Sequence, residues 1–404
     1  MLRNLLFVIS AAFLLSGLLS ACSTTPRDPW QANPRTTSQQ ATYPSGQTLP
    51  TPTVDQTGSM ANIPQTLGGK SKVALLLPLS GRGQDTGEAM MNAALLAMND
   101  LNASDLFELM PKDTGQGAAS AAQDALNDGA GLILGPVFSP DTKDIAPLAV
   151  QRGVGVVSFS TDTTAAVGTT FLMGFVPQTQ VEQIIDYAGS RGLRNIGLIA
   201  PRDAYGDAVT ASFYSRIQLR HFNNAGIVRY SGSVLPSAQD VTLFTSSRPD
   251  AILIAASGLQ AAQISALLNA QGLTAQTVKR LGTGMWDDLS AQNQIELQGA
   301  WYAAASPDLR AKFERRYQSM YGTTPPRLAS LAYDATALAV VLSKTGQGYG
   351  RSALTNPNGF AGIDGIFRFR PDGLAERGLG IMEIKNHRAV MIQNAPSSFA
   401  FSKK

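Results

Sequence analysis

Several kinds of chemistry are short of material in this chain. It has one cysteine, Cys22, and two histidines, His221 and His387, in 404 residues. Disulfides are excluded within the chain, and a His-rich metal site has no ligands to draw on. Charged residues are 15 % of the total and the net charge is +3. No basic run or basic patch is present, so a nucleic-acid partner lacks its electrostatic footprint. There is no G-x-S-x-G nucleophile elbow, and a Ser-His-Asp arrangement has no local signal. On these grounds the chain is not expected to be an enzyme or to carry a cofactor.

What is present begins with a targeting pattern. Met1-Leu2-Arg3 supplies a short positive start, and the apolar run LLFVISAAFLLSGLL is too short and one-sided for a comfortable membrane span. It closes on Leu19-Ser20-Ala21-Cys22, which resembles the lipobox of bacterial lipoproteins. The resemblance implies a signal peptide over 1–21 and acylation of Cys22, which also explains a lone exported thiol. Several acyl chains suffice for stable anchoring. Ser23 stands where aspartate would favour inner-membrane retention, so the resemblance implies the outer membrane, facing the periplasm. Residues 22–70 are rich in Pro, Thr, Ser, Gln and Gly, with no apolar periodicity. They read as a disordered tether spanning on the order of 35–40 Å as a coil.

From residue 71 to 396 the texture is a βαβ rhythm. Candidate strands are VALLLPL (73–79), GLILG (131–135), VGVVSFS (154–160), NIGLIAP (195–201), IVRYSG (227–232), DAILIAA (250–256) and 279–282. Candidate helices cover 87–102, 118–128, 145–153, 181–192, 206–222, 259–271, 307–322 and 328–346. The chain closes on an alternating pair, IFRFRPDG (366–373) and GIMEIKNHRAVMI (380–392), with Pro-Asp-Gly as the turn. Continuous apolar runs fit parallel sheets covered on both faces. The expected class is α/β, with two doubly wound, Rossmann-like lobes.

The glycine-rich stretch VALLLPLSGRGQDTG tests for a nucleotide site. Its glycines, at 81, 83 and 87, are spaced G-x-G-x-x-x-G, one residue longer than the dinucleotide fingerprint. No acidic residue ends a recognisable second strand about 20 residues on. Gly69-Lys70-Ser71 precedes the strand and has Pro64 where a phosphate loop needs its first glycine. What remains is a set of three loops, 81–87, 135–139 and 158–162, at the carboxyl ends of strands. They read either as amide-lined sites for a carboxylate or other anion or as ordinary βα turns. Asp287-Asp288 reads as a solvated turn or helix start.

The segments VALLLPLSG, LILGPVFSPDTKDIAPLA, VVSFSTD, IGLIAPRDAYGDA and DAILIAASGLQAAQISALLNAQGL resemble type I periplasmic binding proteins of the Leu/Ile/Val-receptor kind. That resemblance implies two lobes joined by three crossovers near 174–177, 303–306 and 376–380. Lobe 1 would take about 71–175 and 305–376, and lobe 2 about 177–303 and 377–396. Ser139 matches the receptors' carboxylate-holding serine, Ser160 and Asp162 their next loop, and Tyr205 a tyrosine of lobe 2. Thr86 and Ser257 stand where the receptors carry aromatics, and Gly284 where they carry the acid for the α-ammonium. A buried ammonium without a partner is penalised by several kcal/mol, and Asp162 is the candidate substitute. With lipobox and tether, the chain is similar to outer-membrane lipoprotein activators of penicillin-binding proteins (the LppC/LpoA group). This implies a partner that synthesises peptidoglycan, with a small ligand in the interlobe cleft as the alternative.

Overall fold

In the computed structural model, residues 70–105, 107–231 and 234–399 are described. The expected signal peptide, Cys22 and the tether up to residue 69 lie outside these. Aliphatic runs build the first sheet: β1 (Ser71–Leu77), α1 (Gln84–Asp100), β2 (Phe107–Asp113), α2 (Ala118–Asn127), β3 (Leu132–Leu134), α3 (Ser139–Arg152), β4 (Gly155–Ser158) and β5 (Thr170–Leu172). All neighbouring strands are parallel, in the order β2-β1-β3-β4-β5. Val73 to Leu77 and β3 are wholly buried, as expected when helices cover both faces of a parallel sheet.

The chain then builds a second sheet from α4 (Pro177–Ser190), β6 (Asn195–Pro201), α5 (Ala204–Arg220), β7 (Asn223–Tyr230), α6 (Ala238–Ser247), β8 (Ala251–Ile254), α7 (Gly258–Ala270), β9 (Lys279–Gly282), α8 (Leu289–Gln292) and β10 (Trp301–Ala304). It returns to the first lobe for α9 (Pro307–Tyr321), α10 (Ala329–Lys344), α11 (Arg351–Leu354) and the hairpin β11 (Phe367–Phe369) and β12 (Ala375–Arg377). The last pair, β13 (Gly380–Lys385) and β14 (Arg388–Gln393), joins the second sheet antiparallel at its edge. That sheet runs β14-β13-β10-β9-β8-β6-β7. Its two faces carry separate cores, one around Phe244, Trp286 and Tyr302 and one around Ile184, Phe213 and Leu253. The architecture is α/β with two mainly parallel sheets.

Where structure and sequence reading part, the reasons are physical. β2 lies at a sheet edge, so it need not be apolar throughout, and an edge tolerates Pro111. β5 is three residues long, too short for a periodic signal. α3 starts at Ser139, not at 145, because Pro140 sits in its first turn, where a missing N–H costs nothing. The closing strands are two hairpins rather than one pair. Pro371-Asp372-Gly373 turns β11 into β12, and 380–393 folds back on itself beside β10.

Candidate functional site

The residues between β1 and the glycine loop are held by a carboxylate of the protein itself. β2 ends on Asp113, the acid that the sequence reading had not found. Its Oδ1 accepts from Leu79 N (2.8 Å) and Ser80 N (3.1 Å), and its Oδ2 from Ser80 Oγ (2.6 Å). Burial would raise the Asp113 pKa, but the Ser80 hydroxyl and the loop amides hold it below the usual range. A carboxylate of the protein thus takes the two amides, Leu79 N and Ser80 N, that lead into the glycine loop. Gly87 serves packing, since a Cβ there would lie 2.0 Å from Pro78 O. Thr86 stands half-buried in the first turn of α1.

Ser139 and Asp162 come together, and they bond to each other. Ser139 Oγ donates to Asp162 Oδ2 at 2.5 Å, and Lys143 Nζ reaches the same oxygen at 2.7 Å. Oδ1 accepts from Thr164 N (3.0 Å) and Thr164 Oγ1 (2.7 Å). Burial opposes ionisation, but Lys143, Ser139 and Thr164 together hold Asp162 well below the carboxylate range. Ser160 is buried, and its Oγ accepts from Asp162 N at 3.1 Å. Asp162 is therefore balanced by Lys143 and is not a spare counter-ion for an ammonium.

On the second lobe, Tyr205 OH pairs with Thr283 Oγ1 at 2.7 Å, and burial pushes its pKa up to about 12. Gly284 N donates to Gln180 Oε1 at 2.7 Å, so a side-chain amide faces the position of the receptors' acid. Ser257 precedes α7 and donates to Gln260 Oε1 at 3.1 Å.

A cavity of about 200 Å³ opens where the chain passes between the sheets. All three passages line it, through Gly174–Val176, through Ala303–Ala305, and through Arg377 and Leu379. Of the six expected cleft residues only Tyr205 borders it; Gln180, Gly284, Asp287 and Arg327 do so as well. Asp288 caps α8 through Ala291 N, as a helix start should. Asp287 is not a solvated turn: it is largely buried, pairs with Arg310 at 3.2 Å, and has its pKa raised by burial.

Along one wall of the cavity lies a charge cluster. Arg327 Nη1 pairs with Asp364 Oδ1 at 2.7 Å, and Ser330 Oγ donates to Oδ2 at 2.6 Å. Asp334 accepts from Ile363 N at 2.8 Å through Oδ1, whereas Oδ2 has no hydrogen-bond partner. Burial pushes the Asp334 pKa up, and the Asp364 carboxylate adds to this. Burial works the same way on Asp364, but Arg327 and Arg377 outweigh it and hold that group low. Arg377 gives Nη2 to Met173 O (2.8 Å) and leaves Nε and Nη1 without hydrogen-bond partners. Phe175 lies under both guanidiniums, 3.9 Å from Arg327 and 5.1 Å from Arg377.

Sequence reasoning passed over this cluster. One signal was available: Asp334 is a lone acid within SLAYDATALAVV, and every residue of 329–340 is buried. An arginine in a short strand gives no such sign, because pattern alone cannot tell a buried Arg377 from a solvated one.

Comparison with known proteins places this geometry. The family model described as periplasmic binding protein matches residues 70–389. A putative branched-chain amino acid ABC transporter protein from Rhodospirillum rubrum superposes with a TM-score of 0.72 at 18% identity, covering 80% of this chain and 100% of that one. Full-length LpoA from Haemophilus influenzae gives 0.64 at 19% identity, with 81% of this chain and 59% of that chain covered. The LpoA C-domain, described as a regulator of PBP1A, gives 0.62 at 20% identity, with 80% and 100% covered. Comparison with curated protein sequences finds no match. Among the described residues no helix is long and apolar enough to cross a membrane. With two mainly parallel sheets, three passages between them and a matching family model over 70–389, the chain belongs to the periplasmic binding protein family.

Proposed function

We propose that the protein is a non-enzymatic lipoprotein, anchored in the outer membrane through Cys22, that stimulates a peptidoglycan synthase of the penicillin-binding class in the periplasm. The observation that carries this reading is Asp162 on Ser139 (2.5 Å). The donor that matches the receptors' grip on a ligand carboxylate is spent on the chain's own carboxylate, and Gly284 supplies no acid for an ammonium. A fold kept without its amino-acid contacts fits an interaction module. The likeness to LpoA, whose C-domain is described as a regulator of PBP1A, supports the partner class. The test is co-purification of the full chain with the synthase, followed by glycan-polymerisation and cross-linking rates. Association with a raised rate is expected; no association and no rate change removes the reading.

One observation favours a second reading, a periplasmic solute receptor: the cavity of about 200 Å³ at the passages between the lobes. A ligand at about a hundred times its Kd adds roughly 2.7 kcal/mol of stability, so thermal-shift screening against amino acids and cell-wall fragments separates the two.

A further inference from the structure

We propose that the outward face of α9 docks on an anionic lipid surface, with Lys312, Arg315 and Arg316 toward the headgroups. The proposal rests on the anchoring through Cys22 in the proposed function, and it adds which side of the domain meets the membrane.

The first observation is an unpaired basic face. Lys312, Arg315, Arg316, Ser319 and Met320 line one shallow, open groove. Their spacing of i, i+3, i+4, i+7 and i+8 puts them on one side of α9. Lys312 and Arg315 are exposed, and neither has an ion-pair or hydrogen-bond partner among the described residues. Glu314, the acid between them in sequence, is turned instead to Arg310 at 2.8 Å. Met320 is 49 % exposed and adds an apolar side chain to the same face. Cations flanking exposed apolar surface are the combination that adsorbs to anionic bilayers.

The second is where the chain enters the domain. Arg316 Nε donates to Oδ1 of Asp100, the last residue of α1, at 2.7 Å, and Tyr333 OH donates to Oδ2 at 3.0 Å. Two lysines hold the turn that follows: Lys344 Nζ donates to Leu101 O at 2.5 Å, and Lys70 Nζ to Ser104 O at 2.8 Å. Lys70 is the first described residue, so the segment from Cys22 arrives at the same end of α1 that Arg316 touches. The sequence shows no basic patch because its members stand at 70, 312–316 and 344, and only the fold gathers them. Asp100, already paired, and Asp105 are outnumbered there by Lys70, Lys312, Arg315, Arg316 and Lys344.

The third is reach. As the coil expected from its composition, the segment 22–69 spans on the order of 35–40 Å. A domain tied to Cys22 therefore meets its own membrane at high local concentration. Each Lys or Arg at an anionic surface strengthens binding by about fivefold, so a few charges suffice to orient it. Entry of the chain on this side favours the lipid that carries the anchor over an acidic protein segment.

The test uses the full chain carrying Ser319→Cys and a fluorophore; with Cys22 acylated, the label goes to residue 319 alone. It is reconstituted with vesicles of phosphatidylcholine, or of phosphatidylcholine mixed with phosphatidylglycerol, both containing a headgroup quencher. The chain should sediment with both through its anchor. Quenching should be at least about fivefold stronger on the anionic vesicles and vanish at about 1 M salt, where the screening length falls to about 3 Å. Lys312→Glu with Arg315→Glu should remove the difference. Lys385→Glu with Arg388→Glu, the same charge change on an exposed edge of the second sheet, should keep it. Equal quenching on the two vesicles, or loss of the difference in the second-sheet variant, overturns the docking face and leaves the anchor standing. Sedimentation with anionic vesicles alone, abolished by Lys312→Glu with Arg315→Glu, supports the face and refutes the anchor. Sedimentation with neither refutes both. A probe that answers to the purified synthase and not to lipid makes the face a protein contact, and the lipid assignment falls.

Discussion

A carboxylate gripped by a serine hydroxyl, a lysine and a threonine has little left to offer a ligand, and Asp162 is in that position. Replacing it with alanine strands Ser139 and Thr164 and should cost about 1–3 kcal/mol, measured by chemical denaturation. Its folded pKa lies below its unfolded one, so its contribution is full above about pH 4 and is lost as pH falls below that value. The stability gap between wild type and Asp162→Ala should therefore close in acid. Asp334 has the opposite sign. Its folded pKa is raised, so its contribution is full below about pH 4 and is lost as pH rises through the folded value. Asp334→Asn, which cannot ionise, should be progressively less destabilised than the wild type by rising pH. Melting temperatures of both chains from pH 4 to 9 measure it, and parallel curves would mean that Asp334 is ionised throughout.

At the scale of elements, both lobes solve the first strand–helix turn the same way. A Cβ at Gly87 would meet Pro78 O at 2.0 Å, and one at Gly206 would meet Pro201 O at 1.9 Å. Neither obstacle is a flexible side chain, so the helix must shift. Gly87→Ala and Gly206→Ala should each destabilise by about 1–3 kcal/mol, with the midpoint of denaturation as readout. These turns were legible in the sequence because glycine and proline punctuate the end of an apolar run. Central strands were legible for the same reason, since β1, β6 and β8 are continuous aliphatic runs. Edge strand β2 was not, and with it went Asp113, the acid that bonds Leu79 and Ser80 ahead of the glycine loop. Of the residues singled out in the sequence, Tyr205 borders the cavity, and Ser139 and Asp162 lie together away from its lining. That Ser139 and Asp162 bond to each other is a matter of two helix and strand ends meeting in space. Pattern in one dimension does not carry it.

On the scale of the whole molecule, the two sheets are linked three times, and the links carry the buried charges. Arg377, on the last passage, donates to Met173 at the first, and Phe175 between them lies under Arg327. The lobes therefore meet at a polar, partly unsatisfied cluster, while the loops of the first lobe are closed on Asp113 and Asp162. Ser80 and Ser139 are thus paired with the protein's own carboxylates, and the partly unsatisfied charges gather at the passages between the sheets. The most direct test is calorimetric titration of L-leucine into the purified full chain. The account predicts no heat of binding above dilution. A saturable isotherm that disappears in Ser139→Ala would contradict it.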